Sequence, residues 1–176
     1  LLITVRGVIA QPETRAEKLM KSIKTGNLTN ALELAQNIDS VNYTDSDGTS
    51  LLMRSIEAGY TKVFETLVEK GANLDYRRSD GATALIQASR FGHPNVVSLL
   101  LAKGAKPDLK AIDGSTALIW ASIRGRAYIA KLLLDNGADP DVQDHNGSTA
   151  LIWALLNGHT EVVKLLMDNG ANSGLL

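Results

Sequence analysis

The sequence predicts an all-α solenoid, in which helix–turn–helix units stack in a row and are joined by β-hairpin loops. Three observations predict it. Gly48, Gly81, Gly114 and Gly147 recur every 33 residues, each directly after Asp or Asn, and a fixed period of this size marks a stacked repeat array. Two more glycine series keep the same register: Gly59, Gly92, Gly125 and Gly158, then Gly71, Gly104, Gly137 and Gly170. Between them stand apolar groups such as Val96-Val97 with Leu99–Leu101. These recur at i, i+3 and i+4, the spacing of a helix face buried on its neighbour.

The elements follow in order. Gln11-Pro12 breaks any preceding structure. Ala16 to Lys24 reads as a helix with Leu19, Met20 and Ile23 on one face, and Gly26-Asn27 ends it. A second helix carries Leu28, Ala31, Leu32, Leu34 and Ala35 on its expected buried face. This first unit keeps the register but lacks the Asp-Gly pair and has a more charged leading helix. Both departures suit a terminal repeat, which must show one face to water. Four full units come next. In each, Asp-Gly or Asn-Gly is expected to supply positive φ for a tight two-residue turn between extended arms. Ser50, Thr83, Thr116 and Thr149 stand where a side-chain oxygen caps the next helix. That inner helix is short, for example Ala117 to Ile123, and holds small residues (Ala88, Ala121, Ala154) that let inner helices approach closely. Gly59 and its equivalents end the inner helices as left-handed caps, and Gly71 and its equivalents end the outer ones. Pro94 fits the first turn of its outer helix, where no backbone donor is lost.

These units resemble ankyrin repeats. The residues that carry the resemblance are Asp80-Gly81-Ala82-Thr83-Ala84-Leu85-Ile86-Gln87-Ala88, Gly92-His93, Val96-Val97-Ser98-Leu99-Leu100-Leu101 and Gly104-Ala105-Lys106-Pro107-Asp108. The resemblance covers four full repeats and a degenerate N-terminal capping repeat, from about Ala16 to Asn172. It departs from the family at the proline, replaced by Leu51, Ala84, Ala117 and Ala150, and at the histidine, replaced by Met53, Ile86, Ile119 and Ile152. Apolar packing there replaces a polar contact between turn and helix. The resemblance implies L-shaped units stacked into a curved solenoid that binds protein partners through hairpin tips and inner helices.

Residues 12–176 are expected to form one domain, with repeats at about 12–44, 45–77, 78–110, 111–143 and 144–176. Residues 1–11 are expected to be an extension or a processing remnant. They read either as a segment packed on the first repeat or as the tail of a signal peptide, with Val8-Ile9-Ala10 as a cleavage site. A cytoplasmic location is favoured, or an exported or periplasmic one if residues 1–10 are a signal-peptide remnant. The net charge of −1 gives no bias toward nucleic acid or acidic membrane. The absence of cysteine excludes disulfides and thiolate metal sites. No apolar run approaches the ~18–20 residues that span a bilayer. A monomer is expected unless the C-terminal face pairs.

No catalytic, cofactor or metal set emerges. His93 and His159 occupy the Gly-His position of the repeat, which explains both structurally. Asp139, Asp141 and Asp144 imitate a metal loop but lack the Gly and terminal Glu of a calcium site. No P-loop and no nucleophile elbow occurs.

The information therefore lies in what varies between repeats. Trp120 and Trp153 are equivalent by the 33-residue shift and should stack side by side. Ile123 and Leu156 lie one helical turn on, Phe91 and Ile112 border them, and Arg77, Arg90, Lys110 and Arg124 flank them. With His145 and Asn157 these residues form the candidate partner-binding set. An aromatic strip with an arginine rim suits protein recognition. The other possibility is that the tryptophans fill space between repeats. The expected partner is a protein or peptide with apolar anchors and acidic residues, because Asp47, Asp80 and Asp113 on the hairpin row would repel phosphates. The alternative function is an exported or periplasmic accessory or inhibitor-type protein that binds one specific enzyme.

Overall fold

The computed structural model describes residues 12–175, so the expectations for residues 1–11 lie outside it. Ten α-helices stand among the described residues: α1 (Arg15–Lys24), α2 (Leu28–Gln36), α3 (Leu51–Glu57), α4 (Thr61–Glu69), α5 (Ala84–Phe91), α6 (Pro94–Ala102), α7 (Ala117–Ile123), α8 (Ala127–Asp135), α9 (Ala150–Leu156) and α10 (Thr160–Asp168). They form five antiparallel pairs. The inner helices α1, α3, α5, α7 and α9 pack in sequence order, and α2, α4, α6, α8 and α10 form the outer layer. A short 3-10 turn, Ser173–Leu175, follows.

Hydroxyl caps start the inner helices as the sequence predicts. Ser50 accepts from the Met53 N–H at 3.2 Å, and Thr83, Thr116 and Thr149 accept from the N–H of Ile86, Ile119 and Ile152, each at 3.3 Å. The core is one continuous cluster to which every unit contributes buried apolar residues from both of its helices. The alanines Ala88, Ala121 and Ala154 are fully buried, so the inner helices can stack closely. α2 corrects one expectation: Ala31 and Ala35 are buried, but Leu28 is exposed at the helix start. Thr14 and Glu17 make a reciprocal capping box on α1, a pattern legible in the sequence that the period overshadowed.

The hairpins also differ from expectation. No strand forms among the described residues, and Thr44 and Ser50 make only an isolated bridge. Among the described residues positive φ is confined to glycine, so Asp47, Asp80, Asp113 and Asn146 are not left-handed. A two-residue turn of type I′, the one Asp-Gly and Asn-Gly favour, needs positive φ at both central positions. Instead the Gly48 N–H closes a four-residue turn on the Asp45 carbonyl at 2.9 Å, and Gly81, Gly114 and Gly147 close on Arg78, Ala111 and Asp144. Each glycine is therefore the left-handed residue that follows the turn. One cross-loop hydrogen bond, such as Ala111 N–H to the Ser115 carbonyl at 2.9 Å, closes the arms behind it.

Two ladders tie successive units together. The loop residues Asn42, Asp75, Asp108 and Asp141 accept from the backbone N–H of Asn73, Lys106, Asp139 and Asn172, at 2.8 to 3.1 Å. At the hairpin tips, Ile112 donates to the Asp80 carbonyl at 2.8 Å and His145 to the Asp113 carbonyl at 2.9 Å. The loop acids thus have structural roles. Asp139 also accepts from the Asp141 N–H, and Asp144 accepts from the N–H of Asn146 and Ser148.

Candidate functional site

The inner helices and the hairpin loops beside them make one continuous face, and its chemistry changes from end to end. In its first half, opposite charges alternate. The Lys24 ammonium meets the Asp45 carboxylate at 2.7 Å, and Arg54 meets Asp45 at 2.9 Å and Asp47 at 3.0 Å. Arg54 also meets Glu57 at 2.8 Å, Glu57 meets Arg78 at 3.2 Å, and Arg78 pairs with Asp80. The Asp45 side chain is only 5% exposed. Burial raises its pKa, but the Lys24, Thr49 and Arg54 donors outweigh burial and hold it at about 2. Hydrogen bonding to Arg78 lowers the pKa of Asp80 against burial. Gln87 ends the chain of polar contacts: with its amide oxygen toward Arg78, it accepts from Nη2 at 2.9 Å. This ionic ladder escaped the sequence reading, although a signal was there. The inner-helix residue of one unit pairs with the hairpin residue 21 positions on, as Glu57 does with Arg78 and Lys24 with Asp45.

The second half is aromatic. The Trp120 indole N–H donates to the Ser115 hydroxyl at 2.9 Å, and the Trp153 indole N–H to Asp144 at 2.9 Å. Each ring is half-buried and tied to the hairpin of its own unit, so it both packs and faces outward. The two indoles make no ring pair; among the described residues that role falls to Phe91 and His93, with centroids 6.4 Å apart. Each indole is instead held by the hydrogen bond to its own hairpin. Arginine takes the place of the second ring: Arg90 lies 4.7 Å and Arg124 5.8 Å from the Trp120 ring, within cation–π range.

The remaining candidates divide. Ile112 is 63% and Leu156 71% exposed, and Phe91 and His145 also face solvent. Ile123 is half-buried against the core. Arg77 donates to the Lys110 carbonyl, and Lys110 donates to the Gln143 carbonyl at 3.1 Å. Those two cations therefore stitch successive hairpins together while remaining exposed. Asn157 caps α9 by donating to the Trp153 carbonyl at 2.8 Å.

Arg90, Ile112 and Trp120 converge on a pocket of about 420 Å³ between the hairpins of the third and fourth units, at Asp80 and Asp113, each hairpin being numbered by its unit. Ile86, Gln87, Ala111 and Ser115 complete its wall, with Asp80 and Asp113 at the rim. Its wall is mainly apolar, and Arg90, the cation in its lining, has no carboxylate partner among the described residues.

A family description, ankyrin repeats (3 copies), matches residues 19–111 and 107–175. The chain belongs to the ankyrin-repeat family. No curated protein matches it. Ankyrin repeats are generally protein-interaction modules and typically serve as non-enzymatic scaffolds. No helix among the described residues is long and apolar enough to cross a membrane.

Proposed function

We propose that residues 12–176 act as one protein-binding unit whose partner lies along the inner-helix face, mainly over the third to fifth helix pairs. The observation that carries this is the change of composition along one column of that face, from Arg54 and Gln87 to Trp120 and Trp153. The first half satisfies its charges internally through the ladder from Lys24 to Asp80. The second half leaves Ile112, Leu156 and Phe91 in water beside arginines that hold no carboxylate. An exposed apolar and aromatic patch with a cationic rim gains most when a protein covers it. The partner is a protein or peptide with apolar anchors.

Affinity capture with the full chain identifies the partner, and paired surface variants then locate its site. Ile112→Ser with Leu156→Ser should weaken capture about tenfold or more, as loss of interface anchors does, while thermal unfolding stays unchanged. Trp120→Ala with Trp153→Ala should abolish capture but also lower stability, since each indole is half-buried and bonded to its loop. Undiminished capture by the serine pair and the alanine pair alike would place the partner elsewhere.

A further inference from the structure

The pocket sits where the ionic ladder breaks, and the break has a defined register. In the first junction the inner-helix Lys24 pairs with hairpin Asp45, 21 residues on. In the next, Glu57 pairs with Arg78 across the same offset. The third junction places Arg90 on the inner helix and Ala111 on the hairpin. A methyl group stands where the other hairpins carry Asp45, Arg78 and Asp144, and the pocket opens there. Trp120 registers the same loss: its equivalent Trp153 donates to Asp144, whereas Trp120 turns to Ser115. Arg90 is left 4.7 Å over the indole, without the opposite charge that Lys24 and Glu57 find at this offset.

Resting on the binding face proposed above, we propose that the partner supplies the missing group: an aspartate or glutamate side chain that enters over Ala111 and pairs with Arg90. The walls say what surrounds it. Ile86, Ile112 and Trp120 require the acidic residue to be flanked by apolar ones. Asp80 and Asp113 also face the pocket; Asp80 is paired with Arg78, while Asp113 accepts from the Ser115 N–H and hydroxyl and keeps its charge, so the incoming carboxylate must sit on the Arg90 side, over Ala111. Arg90 is then the cation still open to an incoming carboxylate. Water is partly excluded by the apolar wall, which strengthens such a pair relative to one on open surface.

The test has an internal and an external arm. Ala111→Asp places a carboxylate in the pocket from within the chain. It should raise the thermal midpoint, and the gain should vanish when Arg90→Gln is also present; a gain independent of Arg90 overturns the geometry. For binding, a library of acetylated, amidated hexapeptides is passed over the immobilised full chain. Amidation removes the terminal carboxylate, so only side chains compete. Retained peptides should be enriched in Glu or Asp beside Leu, Ile or Phe, and Ala111→Asp and Arg90→Gln should each reduce retention about tenfold or more, as loss of one member of an interfacial charge pair does. Retention without acidic residues, or retention unaffected by both variants, overturns the proposal. So does a single-stranded oligonucleotide held more tightly than the acidic peptides. Trp153→Ala with Leu156→Ser, outside the pocket, separates the two levels. If that pair abolishes retention and the pocket variants do not, the face is right and the carboxylate is wrong; if neither set matters, both fail.

Discussion

Gly125 and Gly158 stand at the same place in successive units, and their surroundings differ by one side chain. Both are left-handed, with φ of 64° and 71°, so any Cβ costs about 1–2 kcal/mol on backbone grounds alone. A Cβ on Gly158 meets nothing within 4 Å, whereas one on Gly125 lies 2.6 Å from the His159 ring. That ring also reaches the Ile123 carbonyl through Nε2 at 3.1 Å. The histidine packs on the glycine of the preceding unit, which gives its structural role a geometry. Arg126 does the same over Gly92, where a Cβ would meet the guanidinium at 2.9 Å. Gly125→Ala should therefore lose about 1 kcal/mol more than Gly158→Ala, the order of a forfeited hydrogen bond. Chemical denaturation of the two variants measures the difference. Equal losses would mean that the His159 ring swings away freely and contributes nothing to the junction.

At the level of elements, α1 and α3 are joined through Asp45, and that joint is sensitive to acid. The folded state lowers the Asp45 pKa from 3.8 to about 2. A carboxylate with a depressed folded pKa contributes stability that is fully present above its unfolded value. The contribution fades as pH falls from 3.8 through about 2. Asp45→Asn should destabilise the protein at neutral pH by about 2 kcal/mol, as loss of a charged hydrogen-bond partner does. It should also flatten the pH dependence of the melting midpoint across that acid window. A constant difference between variant and parent down to pH 2 would assign Asp45 a purely neutral hydrogen-bonding role. The sequence made the elements legible but not this joint. Caps such as Thr116, stops such as Gly104 and the first-turn Pro94 are local signals, each read within a few residues, and the structure places all three as expected. The pair Lys24–Asp45 depends on the register of two units at once, so charge at either residue alone says nothing. The turn went astray for a related reason. Asp47-Gly48 carries a hairpin signature, but the closing bond starts at Asp45, so only the glycine takes positive φ. The pocket was half legible: its large members Arg90, Ile112 and Trp120 stood out by type, while Ala111 matters by what it lacks.

The whole molecule is a linear array, so its stability is a sum over units and junctions, and the junctions are unequal. The third and fourth hairpins are joined by the Ile112–Asp80 backbone hydrogen bond, and the fourth and fifth by the His145–Asp113 bond. A Cβ on Gly81 or Gly114 would lie 2.7 Å from the next hairpin's backbone, whereas at Gly48 the nearest backbone atom is 3.9 Å away. The second hairpin therefore stands further from the third, and α4 meets α6 less closely than the other outer neighbours meet each other. On the inner face that junction carries the packing of α3 on α5, the Glu57–Arg78 pair at 3.2 Å and the Tyr76 hydroxyl donating to the Gly48 carbonyl at 3.0 Å, and in the outer loops Asp75 accepts from the Lys106 N–H at 3.1 Å. Arrays of this kind open in cooperative blocks that hydrogen exchange resolves. Helices α1 to α4 should exchange as one block ahead of α5 to α10. Glu57→Gln should speed exchange in α1 to α4 severalfold, since it removes a charge facing both Arg54 and Arg78, and leave α7 to α10 unchanged. Exchange mass spectrometry on the full chain decides it. Uniform protection across all ten helices, or equal acceleration in both blocks, would mean that the junction is no weaker than its neighbours. If the blocks do separate, the binding half can stay folded while the ionic half opens, which is consistent with the partner face lying at the end where the hairpins are bonded backbone to backbone.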